Sequence, residues 1–407
     1  MTVRTRLFGG LFHAALGAQM AATWVQQRIA PRLPFPRDTA ELAQRQDWCV
    51  ERLRGAIPEG AQVTAYDVQE IKADEAFRSQ VARVQVDWTH GDSAGVTRAL
   101  AKFAPRVTSL RDHAVYVLQK NHLKEAGVYE RLASDPAVAA PRPFFAAAHA
   151  GSGHLCILME LLDGAREIPE EDGCPPELLD SAACALAALH ARFWEQHDAV
   201  TNFLTVVPDP VIDWFSTLFP AGPDQALFGA LLRVAWRHDG RAPVTVLHGD
   251  PRIGNILFTP RGPVLIDWQA ARKGKGVFDL AYLLVLSTEP AVRRTHFTRL
   301  LDRYHAALLA GGVRDYSRDA LEEDARWACL LVLAFASLPF MSAESSTTEA
   351  NTPKLHAMGR AWARRMVGMV DDLDLPWIAA RTGLDAAALR AAFERSNARV
   401  LEPSQGL

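Results

Sequence analysis

Apolar and polar positions change rhythm several times along the chain, and each change predicts a different kind of element. Leu7–Ile29 reads as an amphipathic helical extension, tied by the proline-rich Pro31–Pro36 to a helix over Thr39–Arg54 that stops at Gly55. After the turn Ile57-Pro58-Glu59-Gly60 the rhythm shortens to a two-residue alternation. It predicts strands over Val68–Ala73, Gln80–Trp88 and Thr97–Phe103, with a break at His90-Gly91-Asp92-Ser93. Helical spacing returns over His122–Ala133, and beyond Pro141-Arg142-Pro143 an apolar strand, Leu155–Leu162, runs into Asp163-Gly164. From Pro176 the chain is mainly helical: Glu177–Glu195, Asp213–Phe219, Gln225–Arg237, Ala291–Leu309, Ser317–Phe340, Lys354–Leu373 and Asp385–Val400. One interruption stands out. Val244–Leu247, Asn255–Thr259 and Val264–Ile266 read as short strands, with turn chemistry at Pro260-Arg261-Gly262-Pro263. The loops Glu167–Asp172, Arg272–Lys275 and Ser342–Pro353 read as solvated connections. The pattern as a whole predicts an α+β chain, divided into a helical extension (1–54), a small antiparallel β region (55–162) and a large helical region (163–407).

The interruption is where the chemistry gathers. Asp250 follows His248-Gly249 directly, Asn255 comes five positions later, and Asp267 closes an apolar strand. Singly, each is a common turn or cap residue. Together, in HGD-x4-N-x11-D order, they offer a carboxylate able to take the proton of an attacking hydroxyl, and an amide with a second carboxylate able to hold a cation. Amide and carboxylate oxygens are hard donors, which suits Mg²⁺ better than zinc.

HGDPRIGNILF followed by LIDWQAARKGKGVFDLAYLL resembles the catalytic core of the small-molecule kinases with a protein-kinase-like fold. That group includes aminoglycoside phosphotransferases, choline kinases and ecdysteroid-kinase-like proteins, and the IDWQ-to-FDLAY run is most similar to the last branch. Pro251-Arg252 departs from that branch, which usually has a Trp after HGD-x, and is more like the bacterial aminoglycoside-phosphotransferase type. The resemblance implies a two-lobe fold, ATP and Mg²⁺ as cofactors, and a small-molecule hydroxyl as acceptor. It implies that Asp250 is the base, that Asn255 and Asp267 are the metal ligands, and that His248 and Asp279 brace the catalytic loop from behind. His190, in an LA-x-LHA-x-FW run, would support the same loop, although a histidine on an apolar helix face is more often a satisfied core residue. By the same resemblance Lys102, a lysine among apolar residues, pairs with Glu125 and holds the α- and β-phosphates. The turn Phe77-Arg78-Ser79-Gln80 would cover the phosphates through Ser79, and Met159–Leu162, including Glu160, Leu161 and Leu162, would meet the adenine edge.

Composition narrows the class. With 407 residues, 49% hydrophobic and 22% charged, the chain has room for two lobes and a large core. A net charge of −3 carries no electrostatic footprint for nucleic acid. Five cysteines without a CxxC pair fit reduced thiols, and with ATP as cofactor they point to the cytoplasm. Ala328–Phe340, the most apolar run, is too short to span a bilayer. Only Trp268–Phe278 separates Asp267 from Asp279, and no A-P-E anchor follows, so the acceptor is expected to be a small molecule and not a protein. A nucleotide-binding pseudokinase is the non-catalytic alternative. It usually lacks the base, the lysine or a metal ligand, and this sequence has Asp250, Lys102, Glu125, Asn255 and Asp267. A metal-dependent hydrolase would need a histidine-rich ligand set beside Asp250 and Asp267, which the sequence lacks.

Overall fold

In the computed structural model the alternating stretch after Gly60 becomes three long antiparallel strands: β1 (Gln62–Ile71), β2 (Ser79–His90) and β3 (Ser93–Pro105). Described are residues 33–71, 79–105, 120–196, 200–205, 212, 223–239, 243–342, 352–373 and 375–401. The helices expected over 7–29 and 213–219 lie outside them, as do Phe77, Arg78 and residues 343–351. β1 starts six residues before the expected strand. A register shift between Val63 and Ala65 breaks the alternation there and hides the strand from the pattern. β4 (Pro143–Ala148) and β5 (Leu155–Glu160) complete a sheet of order β1-β2-β3-β5-β4. β5 ends at Glu160, so Leu161 and Leu162 follow the strand instead of closing it.

Ala82, Val84 and Val86 on β2, with Ala99, Ala101 and Phe103 on β3, point to one side and are fully buried. Two short helices, α1 (Thr39–Gln44) and α2 (Gln46–Arg52), supply Leu42, Cys49 and, just beyond, Leu53 to the same core. The N-terminal segment is thus part of this core from Leu33 onward. Asp38 caps α1 through Oδ1, which accepts the Glu41 N–H at 2.8 Å. Arg45, with φ −114° and ψ 51°, separates the two helices that the sequence reads as one. α3 (Asn121–Arg131) follows, and the chain clusters into two units. The first takes residues up to Ser134 and Pro141–Asp163; the second takes Asp135–Ala140 and everything from Gly164.

The second unit is mainly helical: α4 (Pro176–Arg192), α5 (Pro223–Asp239), α6 (Val277–Ser287), α7 (Pro290–Ala310), α8 (Arg318–Ser342), α9 (Thr352–Asp372), α10 (Leu375–Thr382) and α11 (Ala386–Leu401). Between α5 and α6 lie two small antiparallel pairs, β6 (Thr245–Leu247) with β9 (Arg272–Gly274), and β7 (Ile256–Thr259) with β8 (Gly262–Leu265). Every residue of α6 except Tyr282 is buried, so this helix is enclosed on nearly all sides. α7 packs along α4, and α8 along α6. Class and composition of both units are those of an α+β chain. No described helix is long and apolar enough to cross a membrane.

Candidate active site

The turn after β6 is fixed from both sides. Gly249 has φ +86°, and a Cβ there would lie 2.2 Å from the Ala270 carbonyl oxygen, so only glycine fits. Asp279, fully buried in the first turn of α6, accepts the His248 N–H at 2.7 Å and the Gly249 N–H at 3.0 Å. Its Oδ2 also meets His190 Nε2 at 3.2 Å, while His190 Nδ1 meets the Tyr304 hydroxyl at 2.7 Å. Burial and the Asp279 charge push the Tyr304 phenol well above its ordinary pKa. The phenol therefore donates, and His190 turns Nε2–H toward Asp279. His190 and Asp279 thus lie behind the turn.

His248 is buried, and that burial lowers its pKa and keeps the ring neutral. Nε2–H then donates to the Ile266 carbonyl at 2.9 Å, and Nδ1 accepts the Asp250 N–H at 3.3 Å. One ring so sets the spacing between Asp250 and the residue before Asp267.

Asp250 presents two different oxygens. Oδ2 accepts the Asn255 amide at 3.1 Å and lies 3.5 Å from Arg252 Nε. Oδ1 is buried with no hydrogen-bond partner. Burial raises the Asp250 pKa to about 6; the Arg252 charge works against this and the Asp267 charge adds to it. The Tyr282 phenol, kept protonated by burial and then by the Asp250 charge, also donates toward the Asp250 carboxylate and lowers its pKa.

Asn255 is buried on the 3₁₀ turn Ile253–Asn255, one residue before β7, and not on a strand. Its Nδ2 also donates to the Asp250 carbonyl at 2.9 Å, which directs the amide oxygen away from the aspartate. Asp267 follows the end of β8 at φ +65°, a left-handed conformation that Asp tolerates better than most residues. One carboxylate oxygen accepts Gln269 Nε2 at 3.1 Å. Among the described residues no group of three His, Cys, Asp or Glu side chains could hold a metal ion. The donor set of Asn255 and Asp267 would therefore fit a hard cation whose coordination is completed by other oxygens, such as those of a phosphate or water.

In the first unit, Lys102 Nζ donates to Glu125 Oε1 at 2.6 Å, and both side chains are buried. Ser79 opens β2, opposite Pro105. The Glu160 side chain accepts the Arg142 N–H at 2.9 Å and its own N–H bonds back to the Arg142 carbonyl. Leu161 and Leu162 are half-buried.

Of the loops read from sequence as solvated, Glu167–Asp172 is mostly exposed but buries Glu170, and Arg272–Lys275 is mainly buried. Glu170 is buried: Oε1 accepts Arg252 Nη1 at 2.5 Å and the Gly254 N–H at 3.0 Å, and Oε2 accepts Trp362 Nε1 at 3.2 Å. Arg272 and Lys275 are buried as well. Arg272 lies over the Phe278 ring at 4.2 Å, and Lys275 Nζ bonds Asp324 at 2.7 Å. Burying these charges requires partners. The partners sit 82 and 49 residues away, where a single sequence gives no sign of the pairing. Trp268 is fully buried, donates to the Leu265 carbonyl at 3.0 Å and packs on His248, so it belongs to the core.

Comparison with known proteins adds a family. The profile of the phosphotransferase enzyme family (APH) matches residues 108–327, more than half of the chain. No curated protein matches. A choline/ethanolamine kinase family protein from Mesorhizobium loti is similar at 15% identity, over 84% of this chain and 99% of that one, with a TM-score of 0.46. Wild-type aminoglycoside 2′-phosphotransferase-IIIa, solved with GDP, is similar at 14% identity over 79% and 99%, with a TM-score of 0.45. An amicoumacin kinase solved with AMP-PNP and Ca²⁺ is similar at 13% identity over 79% and 95%, again at 0.45.

Proposed function

The chain belongs to the phosphotransferase enzyme family, and from that premise we propose that it moves the γ-phosphate of ATP to a hydroxyl of a small molecule, with Asp250 as the base. The observation that carries the reading is the asymmetry of Asp250. Oδ2 accepts from Asn255 and is ion-paired with Arg252, whereas Oδ1 is buried without a hydrogen-bond partner and so keeps the capacity to accept one. An acceptor hydroxyl is the group that would satisfy it. As the hydroxyl oxygen bonds to the γ-phosphorus, its proton passes to Oδ1, and the bond from phosphorus to the bridging oxygen breaks to release the diphosphate. Asn255, through its amide oxygen, and Asp267 would hold Mg²⁺, which when bound supplies positive charge to the phosphate oxygens.

In the same reading, Lys102, kept in place by Glu125, contacts the α- and β-phosphates, Ser79 donates to a phosphate, and the backbone of Glu160–Leu162 meets the adenine. His248, His190 and Asp279 act on the turn and not on the substrate. The short segment between Asp267 and Asp279, held by the buried Arg272 and Lys275, supports a small molecule as the acceptor. An ATP-using enzyme of this kind works in the cytoplasm.

The test uses γ-labelled ATP, Mg²⁺ and a panel of amino alcohols, aminoglycosides, steroid alcohols and generic proteins. Label is expected on a small-molecule fraction. Asp250→Asn should lower the rate by about 10²–10⁴-fold while leaving nucleotide affinity largely intact. Unchanged turnover in that variant would sink the base assignment, and label on protein alone would sink the acceptor class.

A further inference from the structure

Arg252 and Glu170 are both buried, both charged, and neither is the base or a metal ligand in the reading above. Each makes contacts that look toward Asp250. Arg252 stands between two carboxylates, with Nη1 on Glu170 Oε1 at 2.5 Å and Nε at 3.5 Å from Asp250 Oδ2. Glu170 is in turn saturated: besides Arg252 it accepts the Gly254 N–H at 3.0 Å and Trp362 Nε1 at 3.2 Å. Trp362 also places its ring 5.9 Å from the Arg252 guanidinium. The backbone of Glu170 is held too, since its carbonyl accepts Arg365 Nη1 at 2.7 Å. A buried arginine with so many fixed partners has one orientation, and its Nε lies at ion-pair distance, 3.5 Å, from one oxygen of Asp250.

That selectivity matters because a carboxylate can rotate. With only Asn255 on Oδ2 and the Tyr282 phenol beside it, the Asp250 side chain could turn and spread its charge over nearby donors. With Asn255 and Arg252 both on Oδ2, Oδ1 alone stays open. We propose that Arg252, seated on Glu170 and Trp362, is a positioning residue that fixes the Asp250 carboxylate so that Oδ1 faces the acceptor hydroxyl. The inference rests on Asp250 being the base. It adds that α9, whose Trp362 lies beyond the matched residues 108–327, takes part in orienting it.

A merely structural role for the pair predicts something else: loss of Arg252 would harm folding or nucleotide binding to the same extent whether or not Asp250 is present. A mutant cycle separates the two. Release of ADP from Mg·ATP with water as acceptor is measured for wild type, Arg252→Met, Asp250→Asn and the double variant, with nucleotide affinity and melting temperature for each. Arg252→Met should lower the turnover number about 10- to 100-fold and leave KM for ATP within about twofold, as expected when only positioning of a base is lost. Arg252→Lys, which keeps the charge but cannot reach both carboxylates, should recover part of the rate. In the Asp250→Asn background the Arg252→Met loss should vanish. An equal loss in both backgrounds, or a loss confined to KM, overturns the proposal. If instead Asp250→Asn leaves ADP release unchanged, it is the base assignment that fails.

Trp362→Phe, which removes one donor to Glu170 while keeping an aromatic ring, serves if Arg252→Met does not fold; a smaller loss, also absent in the Asp250→Asn background, is expected. A crystal structure of Arg252→Met gives a readout independent of rate. Rotation of the Asp250 carboxylate is expected, and a carboxylate still bonded through Oδ2 to Asn255, with Oδ1 unpartnered, overturns the proposal.

Discussion

At the scale of single residues, the site depends on a carboxylate held in an uncomfortable place. Burial raises the Asp250 pKa to about 6 against the opposing charge of Arg252. In its proposed role as base Asp250 works only when ionised, so the sign is set: kcat/KM should be level above pH 6 and fall about tenfold per unit below it. A profile of ADP release from pH 4.5 to 8 at fixed Mg²⁺ checks this, and a limb that breaks near pH 4 would mean the carboxylate is not buried in the working enzyme. Gly249 is the second pressure point. Gly249→Ala drives a methyl into the Ala270 carbonyl at a positive φ, and should lower the melting temperature and cut activity more than tenfold. Calorimetry with a rate measurement decides it; wild-type values in both would show that the turn relaxes freely. Asp250, Asn255, Asp267, Lys102 and Glu125 stand out in the sequence as candidates because they lie in a compact motif or carry an odd polarity for their surroundings. Arg252 was visible only as a departure from a pattern, and Glu170 not at all, because its burial follows from a partner 82 residues away.

At the scale of elements, α6 carries the turn at one end and is finished by arginines at the other. Its last carbonyls have no partners within the helix. Arg293 Nη1 reaches the carbonyls of Leu284 and Thr288 at 3.3 and 3.1 Å, and Arg365 Nη1 reaches that of Leu286 at 2.8 Å. Cations at a helix C-terminus also meet its negative pole. Arg365 is fully buried and bonds Glu289 and two further carbonyls, so Arg365→Met should cost about 3–5 kcal/mol. Urea denaturation measures that cost directly, and a loss below about 1 kcal/mol would show that water replaces the guanidinium. Element reading from sequence succeeded where periodicity was clean and failed for local reasons. No Gly or Pro announces the break at Arg45, and a bulge at Val63–Ala65 masks the first third of β1. The strand expected over Asn255–Thr259 starts one residue later, because a 3₁₀ turn precedes β7.

At the scale of the whole chain, class is legible in the pattern, since alternating stretches dominate up to Leu162 and helical spacing dominates from Pro176, with one strand cluster interrupting it. What stayed hidden was which distant segments share an interior. Leu33 to Leu53 read as an appendage yet fill one side of the five-stranded sheet, because two short helices can bury Leu42, Cys49 and Leu53 there. The C-terminal half of that lesson concerns α9. Its Trp362 and Arg365 donate to Glu170 and to the end of α6, although both lie past the last residue that the family profile matches. The stretch that identifies the chain is therefore shorter than the stretch that folds it. A fragment stopped at residue 342 keeps every motif but exposes the apolar face against which α9 packs, and should aggregate or bind a hydrophobic dye. One carried to residue 401 should stay soluble. For anyone trimming this chain to a minimal folded unit, the boundary lies where the buried arginines find their carbonyls, not where sequence similarity fades.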